Sequence, residues 1–230
     1  MSLTIGRFIG VAALAALLGS SAHALEEDWR QAEVIVQATS DSMLVLIDEA
    51  RGYAEEDPER FYVAVEALLS PVVDFPRFAG SVMGKKYYQM ASSEQRQRFA
   101  ESFKWGLVRT YGLALTEFND GKLVLVPATT PPRRPDRVSV NQEIRTSAGQ
   151  VFPVVYSMAL SDDGTWRMRN LIVNGVNLGL TYRSQFQSTA QDPAYGGDLD
   201  KVIDGWAEVL AAEAEKVIEE TQLDQTTSSQ

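Results

Sequence analysis

Residues 137–174 read RVSVNQEIRTSAGQVFPVVYSMALSDDGTWRMRNLIVN, three apolar-rich runs parted by the turn-forming separators SAGQ and SDDGT. In the first run Val138, Val140 and Ile144 fall on one side and Ser139, Asn141, Glu143 and Arg145 on the other, the alternation of a half-buried strand. The second run puts Phe152, Val154, Tyr156, Met158 and Leu160 on one face. Val151, Val155 and Ala159 make its opposite face largely apolar too, which predicts cover on both faces. Separators this short join neighbours antiparallel, so the three runs read as a meander.

Working outward, KLVLVPA (122–128) adds a fourth strand after the turn at Asn119 to Gly121 and reaches the meander through the proline-stiffened TTPPRRP. Everything before it reads as helix. From Glu26 to about Arg51, Val34, Ile35, Met43, Leu44 and Ile47 suit a long amphipathic helix. DPERFYVAVEALLSPVV follows, with Asp57 as N-cap, Pro58 at the first helical position and a stop at Pro71. DFPRFAGSVMGKKYYQMA reads as one or two helical pieces. SSEQRQRFAESFKWGLVRTYGLALTEF opens with Ser92 and Gln95 in capping-box spacing and carries a stripe through Phe99, Phe103, Leu107 and Tyr111. After the meander, LTYRSQFQSTAQ and DLDKVIDGWAEVLAAEAEKVIEE return to helix. No internal repeat or long linker divides the chain. The order predicts an α+β domain in which helices pack on a small, twisted, four-stranded antiparallel sheet.

The first residues, MSLTIGRFIGVAALAALLGSSAHA, carry Arg7, an apolar run from Phe8 to Leu18 and an Ala22-His23-Ala24 ending. That is the order of a secretory signal peptide, with an apolar run too short to span a bilayer. Cleavage of residues 1–24 is expected after Ala24, leaving residues 25–221 as one domain and 222–230 as a polar tail, in an exported, soluble protein. The chain has no Cys, and its one His, His23, leaves with the signal. This excludes disulfides, thiolate nucleophiles, Ser-His-Asp triads and histidine-zinc chemistry, so no catalytic residue and no metal ligand is assigned. With 21 Lys+Arg against 31 Asp+Glu, a formal net charge of −10, the chain lacks the basic footprint that nucleic acid requires. The same acidity disfavours dwelling on an anionic membrane surface.

Three local motifs point nowhere by themselves. GSVMGKK (80–86) has three residues between its glycines where a P-loop has four, Lys86 in place of the magnesium-binding Ser or Thr, and a helix before it. Arg133 and Arg134, set between prolines, suit a solvated loop. The aromatic stripe is ordinary core at that spacing.

VMGKKYYQMASSEQRQRFAESFKWGLVRTYGLAL, then the meander, then WRMRNLIVNGVNLGLTYRSQF, resembles the MlaC family of periplasmic phospholipid-binding proteins, also called the toluene-tolerance family. The likeness covers nearly all of the chain after the signal, in the same order. Its most specific pieces are the QRQRF…F helix and NGVNLGLTYRSQF, where the family has a strand ending in a G-V-(S/N)-L turn followed by a helix bearing YR-x-QF. Tyr88 and Gln89 stand where many relatives have an aromatic followed by arginine. The resemblance implies a monomeric periplasmic carrier with acyl chains between sheet and helices, and no cofactor beyond bound phospholipid as cargo. It also implies two partners, an outer-membrane lipoprotein-porin complex and an inner-membrane MCE-domain ABC transporter complex, in the upkeep of outer-membrane lipid asymmetry.

Sheltering one chain of roughly sixteen carbons, at about 0.8 kcal/mol per methylene, takes on the order of 12 kcal/mol, which only a deep apolar cavity supplies. Phe103, Leu107, Tyr111, Tyr156, Met158, Val173, Val176, Leu178 and Tyr182 are the residues expected to line it. Asn174 to Gly179 lacks the spacing of a nucleotide cradle and reads as a hinge-like rim. Two other readings stay open: a carrier of hopanoid or other isoprenoid lipid, and an enzyme on a nuclear-transport-factor-like cone using a carboxylate such as Asp162 or Glu143.

Overall fold

The computed structural model describes residues 29–116, 121–210 and 212; the signal segment, the start of the Asn119 turn and the polar tail lie outside them. Four helices come first: α1 (Arg30–Ala50), α2 (Pro58–Leu69), α3 (Phe75–Met90) and α4 (Ser93–Thr116). Their starts follow from local chemistry. Asp57 Oδ1 accepts from the Arg60 amide at 3.2 Å, with Pro58 in the first turn, and Asp74 Oδ1 accepts from the Arg77 amide at 3.1 Å. Ser92 and Gln95 close a reciprocal capping box, the Ser92 amide donating to Gln95 Oε1 at 2.9 Å and the Gln95 amide to Ser92 Oγ at 3.1 Å. Helix α3 is kinked at Gly84, whose φ of 71° and ψ of 165° are open to glycine alone, so the two-piece reading and the single helix are both true of it.

The sheet runs β1 (Lys122–Val126), β2 (Arg137–Arg145), β3 (Val151–Leu160), β4 (Trp166–Val173) and β5 (Val176–Asn177), antiparallel and adjacent in chain order. The fifth, two-residue strand was not expected. Asn174 (φ 48°) and Gly175 (φ 83°) both take left-handed backbone and turn β4 onto β5, pairing Val173 with Val176. Asn177 then caps α5 (Leu178–Gln191), its Oδ1 accepting from the Leu180 amide at 3.1 Å and from Asn170 Nδ2 at 3.0 Å. Asn170 Oδ1 accepts from the Gly179 amide at 2.9 Å, and a Cβ on Gly179 would come within 2.5 Å of that oxygen. The polar joint is thus a tight hairpin and a capped helix start. Helix α6 (Leu199–Asp204) follows, and 206–210 is helical again after a turn at Gly205.

A bulge shapes β4. Ser157 pairs with Asn170 but Met158 pairs with Met168, leaving Arg169 as the extra residue. The shift brings Met168 onto the face that Leu171 and Val173 share, and lets Arg169 Nε reach Asp74 Oδ2 at 3.2 Å. Beside the bulge, residues 72–74 pair with β4: the Met168 amide donates to Val72 O and the Asp74 amide to Met168 O.

Three apolar cores result among the described residues. Helices α3 to α6 pack an aromatic cluster in which Phe99 meets Phe186 edge-on at 4.9 Å and Trp206 at 5.3 Å. Trp29 and Val36 close one end of the sheet over Val138, Val140, Met158 and Trp166. Ile47, Phe61, Val65 and Val108 join α1, α2 and α4. Cover on the second face of β3 is only partial: Ala159 is buried and Val155 half-buried, but Val151 and Pro153 are exposed. The first helix packs against the inner side of the sheet, and α3 and α5 gather at its β4 side.

Candidate functional site

Between α1 and the inner face of the sheet lies a cavity of about 300 Å³. The helix gives it Val36, Met43, Leu44 and Ile47, and the α2–α3 connection gives Leu69, Val72 and Val73. Leu123 and Ile144 from β1 and β2, Val154 and Tyr156 from β3, and the bulge-aligned Met168, Leu171 and Val173 from β4 complete the wall. Of the lining side chains only those of Thr39, Ser40 and Tyr156 carry a polar atom, and all three hydroxyls are spoken for. Thr39 donates to the Ile35 carbonyl at 2.8 Å. Ser40 Oγ and Tyr156 OH both donate to Gln142 Oε1, at 3.0 and 2.9 Å. Gln142, 1 % exposed, in turn donates to Gln37 Oε1 at 3.4 Å, so a polar seam crosses the wall between α1 and β2. Burial pushes the Tyr156 phenol above its ordinary pKa, against a smaller opposing influence of the nearby Ser40 hydroxyl, and keeps it a neutral donor. The cavity therefore offers apolar surface and no charge.

Of the residues expected to line it, Tyr156 and Val173 do. Met158 lies at the packed end beneath Trp29 and Val36. Phe103 and Tyr182 are buried in the helical core, 5.9 Å apart edge-on, and Leu107, Tyr111 and Leu178 pack against that core. The Tyr111 and Tyr182 hydroxyls touch. Val176 is half-buried on β5. The helical wall comes from α1 instead of α4. Met43, Leu44 and Ile47 were visible as an apolar stripe, though Val34 from the same stripe is 61 % exposed; nothing in the strand pattern singled out Gln142. The two carboxylates of the enzyme reading are apart from the cavity. Asp162 is fully exposed in the β3–β4 turn, and Glu143 is on the outer sheet face, paired with Arg145 at 2.7 Å. Among the described residues no cluster of three or more Asp, Glu, His or Cys could hold a metal, and no helix is long and apolar enough to cross a membrane.

Helices on a five-stranded antiparallel meander, with an uncharged cavity under the first helix, define an α+β domain built to enclose apolar matter. The chain belongs to the MlaC protein family, whose profile matches residues 37–208. It is 38 % identical to the toluene tolerance protein Ttg2D of Pseudomonas putida over 177 residues, 77 % of this chain and 80 % of that protein. It is 24 % identical to the intermembrane phospholipid transport system binding protein MlaC of Haemophilus influenzae over 149 residues, 63 % of this chain and 68 % of the other. A phospholipid-binding protein from Ralstonia solanacearum, solved in complex with a phospholipid, has the same fold: TM-score 0.68 at 22 % identity, over 80 % of this chain and 98 % of that one.

Proposed function

We propose that this protein is a periplasmic phospholipid carrier. It moves lipid between an outer-membrane lipoprotein-porin complex and an inner-membrane MCE-domain ABC transporter complex, and so serves outer-membrane lipid asymmetry. The observation that carries the reading is the uncharged cavity between α1 and the inner sheet face. Acyl chains enter such a space with a gain of about 25 cal/mol per Å² of apolar surface removed from water, and no buried charge opposes them. The family, and the phospholipid binding and transport for which the Haemophilus and Ralstonia proteins are named, support phospholipid as the cargo. Transfer of this kind makes and breaks no covalent bond, so it calls for none of the catalytic groups that the chain lacks.

Mass spectrometry of protein purified without detergent tests the proposal. Phospholipid is expected at close to one molecule per chain. Met43→Trp, which fills the cavity from α1, is expected to lower that occupancy at least fivefold while leaving the circular dichroism spectrum unchanged. Folded wild-type protein that yields no lipid would sink the carrier reading, and an isoprenoid lipid in the extract would move the cargo to that class.

A further inference from the structure

The acidic side chains are not spread evenly. Residues 75–93 and 164–191 contain no Asp or Glu at all, in a chain that has 31. The fold packs these two acid-free stretches together, as α3 against β4 and α5. Three of their arginines are neutralised from outside: Arg77 and Arg169 by Asp74, and Arg167 by Asp163. Lys85, Lys86 and Arg183 have no carboxylate partner among the described residues, nor does Arg96 at the start of α4.

The Gly84 kink brings Arg183 to the turn of α3 that precedes the exposed Lys85 and Lys86, and Arg96 packs on Tyr88 further along the same helix. A Cβ at Gly84 would lie 3.3 Å from Gln187 Nε2 and 3.9 Å from Arg183 Cδ, so α5 packs directly on the kink. Arg183 Nε donates to the Ser81 carbonyl at 2.7 Å, which fixes its stem across the same groove. Arg96 donates to the Tyr88 carbonyl at 2.8 Å and lays its guanidinium 4.2 Å from the centre of the Tyr88 ring. Around them stand Tyr88, Met90 and Leu180, which are 40 %, 62 % and 58 % exposed. Leu180 and Arg183 are three apart on α5, and Lys86 and Met90 four apart on α3, so each apolar tip flanks a cation.

We infer that this α3–α5 face docks the protein on an anionic lipid surface. Charge complementarity selects an anionic occupant. Lysine beside exposed methionine, leucine and tyrosine matches a headgroup boundary, where the apolar tips enter and the ammonium groups stay among phosphates. A protein partner fits less well, since lysine is depleted from protein interfaces. The overall charge of −10 keeps the molecule from settling on such a surface in other orientations, so the face sets which way it approaches.

The proposal stands apart from the cargo reading and is tested by vesicle flotation of the full chain, with co-purified lipid measured on the same samples. Wild-type protein is expected to float with vesicles of mixed phosphatidylglycerol and phosphatidylcholine at low salt and to be released at high salt. It should stay unbound to pure phosphatidylcholine. The double variant Lys85→Glu/Lys86→Glu, changed at two exposed positions, should lose at least tenfold in bound fraction while keeping its lipid content. Met90→Ser should lose less, and lose it at every salt concentration. Equal binding of wild type and double variant, equal binding to both vesicle types, or no binding to either overturns the inference. Retention of wild type on immobilised polyglutamate without vesicle binding also overturns it, assigning the face to an acidic protein.

Discussion

Gln142 occupies an inward position of β2, between Val140 and Ile144, where alternation calls for an apolar side chain. Its amide oxygen is the common acceptor for the Ser40 and Tyr156 hydroxyls, so it is the point at which α1, β2 and β3 are tied together through polar atoms. Replacing it by leucine fills the same space but strands two donors in an apolar wall, each worth about 1–3 kcal/mol when left unmade. Gln142→Leu is therefore expected to lower unfolding free energy by about 2 kcal/mol or more in urea titration. Tyr156→Phe, which removes a donor and leaves the acceptor to Ser40, should cost about 1 kcal/mol. A leucine variant as stable as wild type would mean that both hydroxyls find other partners.

Among the elements, α2 and α4 are joined by a charged contact that carries a pH signature. The Ser70 hydroxyl donates to Glu66 Oε1 at 2.6 Å, and Lys104 Nζ reaches the same oxygen at 2.9 Å. These two hydrogen bonds, Ser70 first, hold the Glu66 carboxyl below the ordinary carboxylate range. A depressed folded pKa contributes stability above the unfolded value near 4.5 and loses it as pH falls through the folded value. With the side chain about one-fifth exposed, the contribution is about 1 kcal/mol after screening. Wild type is thus expected to exceed Glu66→Gln in stability at about pH 6, with the gap closing as pH falls below the ordinary carboxylate range and through the lowered folded value. A gap that stays constant across that range would detach the effect from Glu66. Elements were legible where a single residue type sets a boundary, as at Asp57-Pro58, Ser92/Gln95 and the two hairpin separators. The cavity was legible only from its sheet side. A strand's inner face must meet whatever covers the sheet, so Tyr156 could be read from alternation. A helical stripe shows that a face is buried but not against what. The Phe99–Phe103–Tyr111 stripe turned out to pack on other helices, while the plainer stripe of α1 supplies the wall. The Asn174-Gly175 turn hid between two apolar flanks because the strand it opens is only two residues long.

For the molecule as a whole, every strand pairs with its neighbour in the chain, yet the wall of the cavity opposite them comes from the far N-terminal helix. The Ser40–Gln142 bond closes a separation of 102 positions. Short loops between β2, β3 and β4 close at small entropic cost, whereas joining α1 to the sheet means closing a very long one. The order of assembly expected from this has the meander forming early as an open apolar trough and α1 sealing it last. Interactions made after the folding transition state slow unfolding and leave folding alone. Ser40→Ala is accordingly expected to raise the unfolding rate while changing the refolding rate by less than about twofold in stopped-flow chevrons. A refolding rate reduced in step with stability would instead put α1 in the nucleus. On the expected order, the folding chain passes through a stage in which its cavity is a gutter open along its whole length. On the proposed carrier function, a lipid met at that stage would be walled in by the final step of folding and would not have to be threaded through a finished mouth.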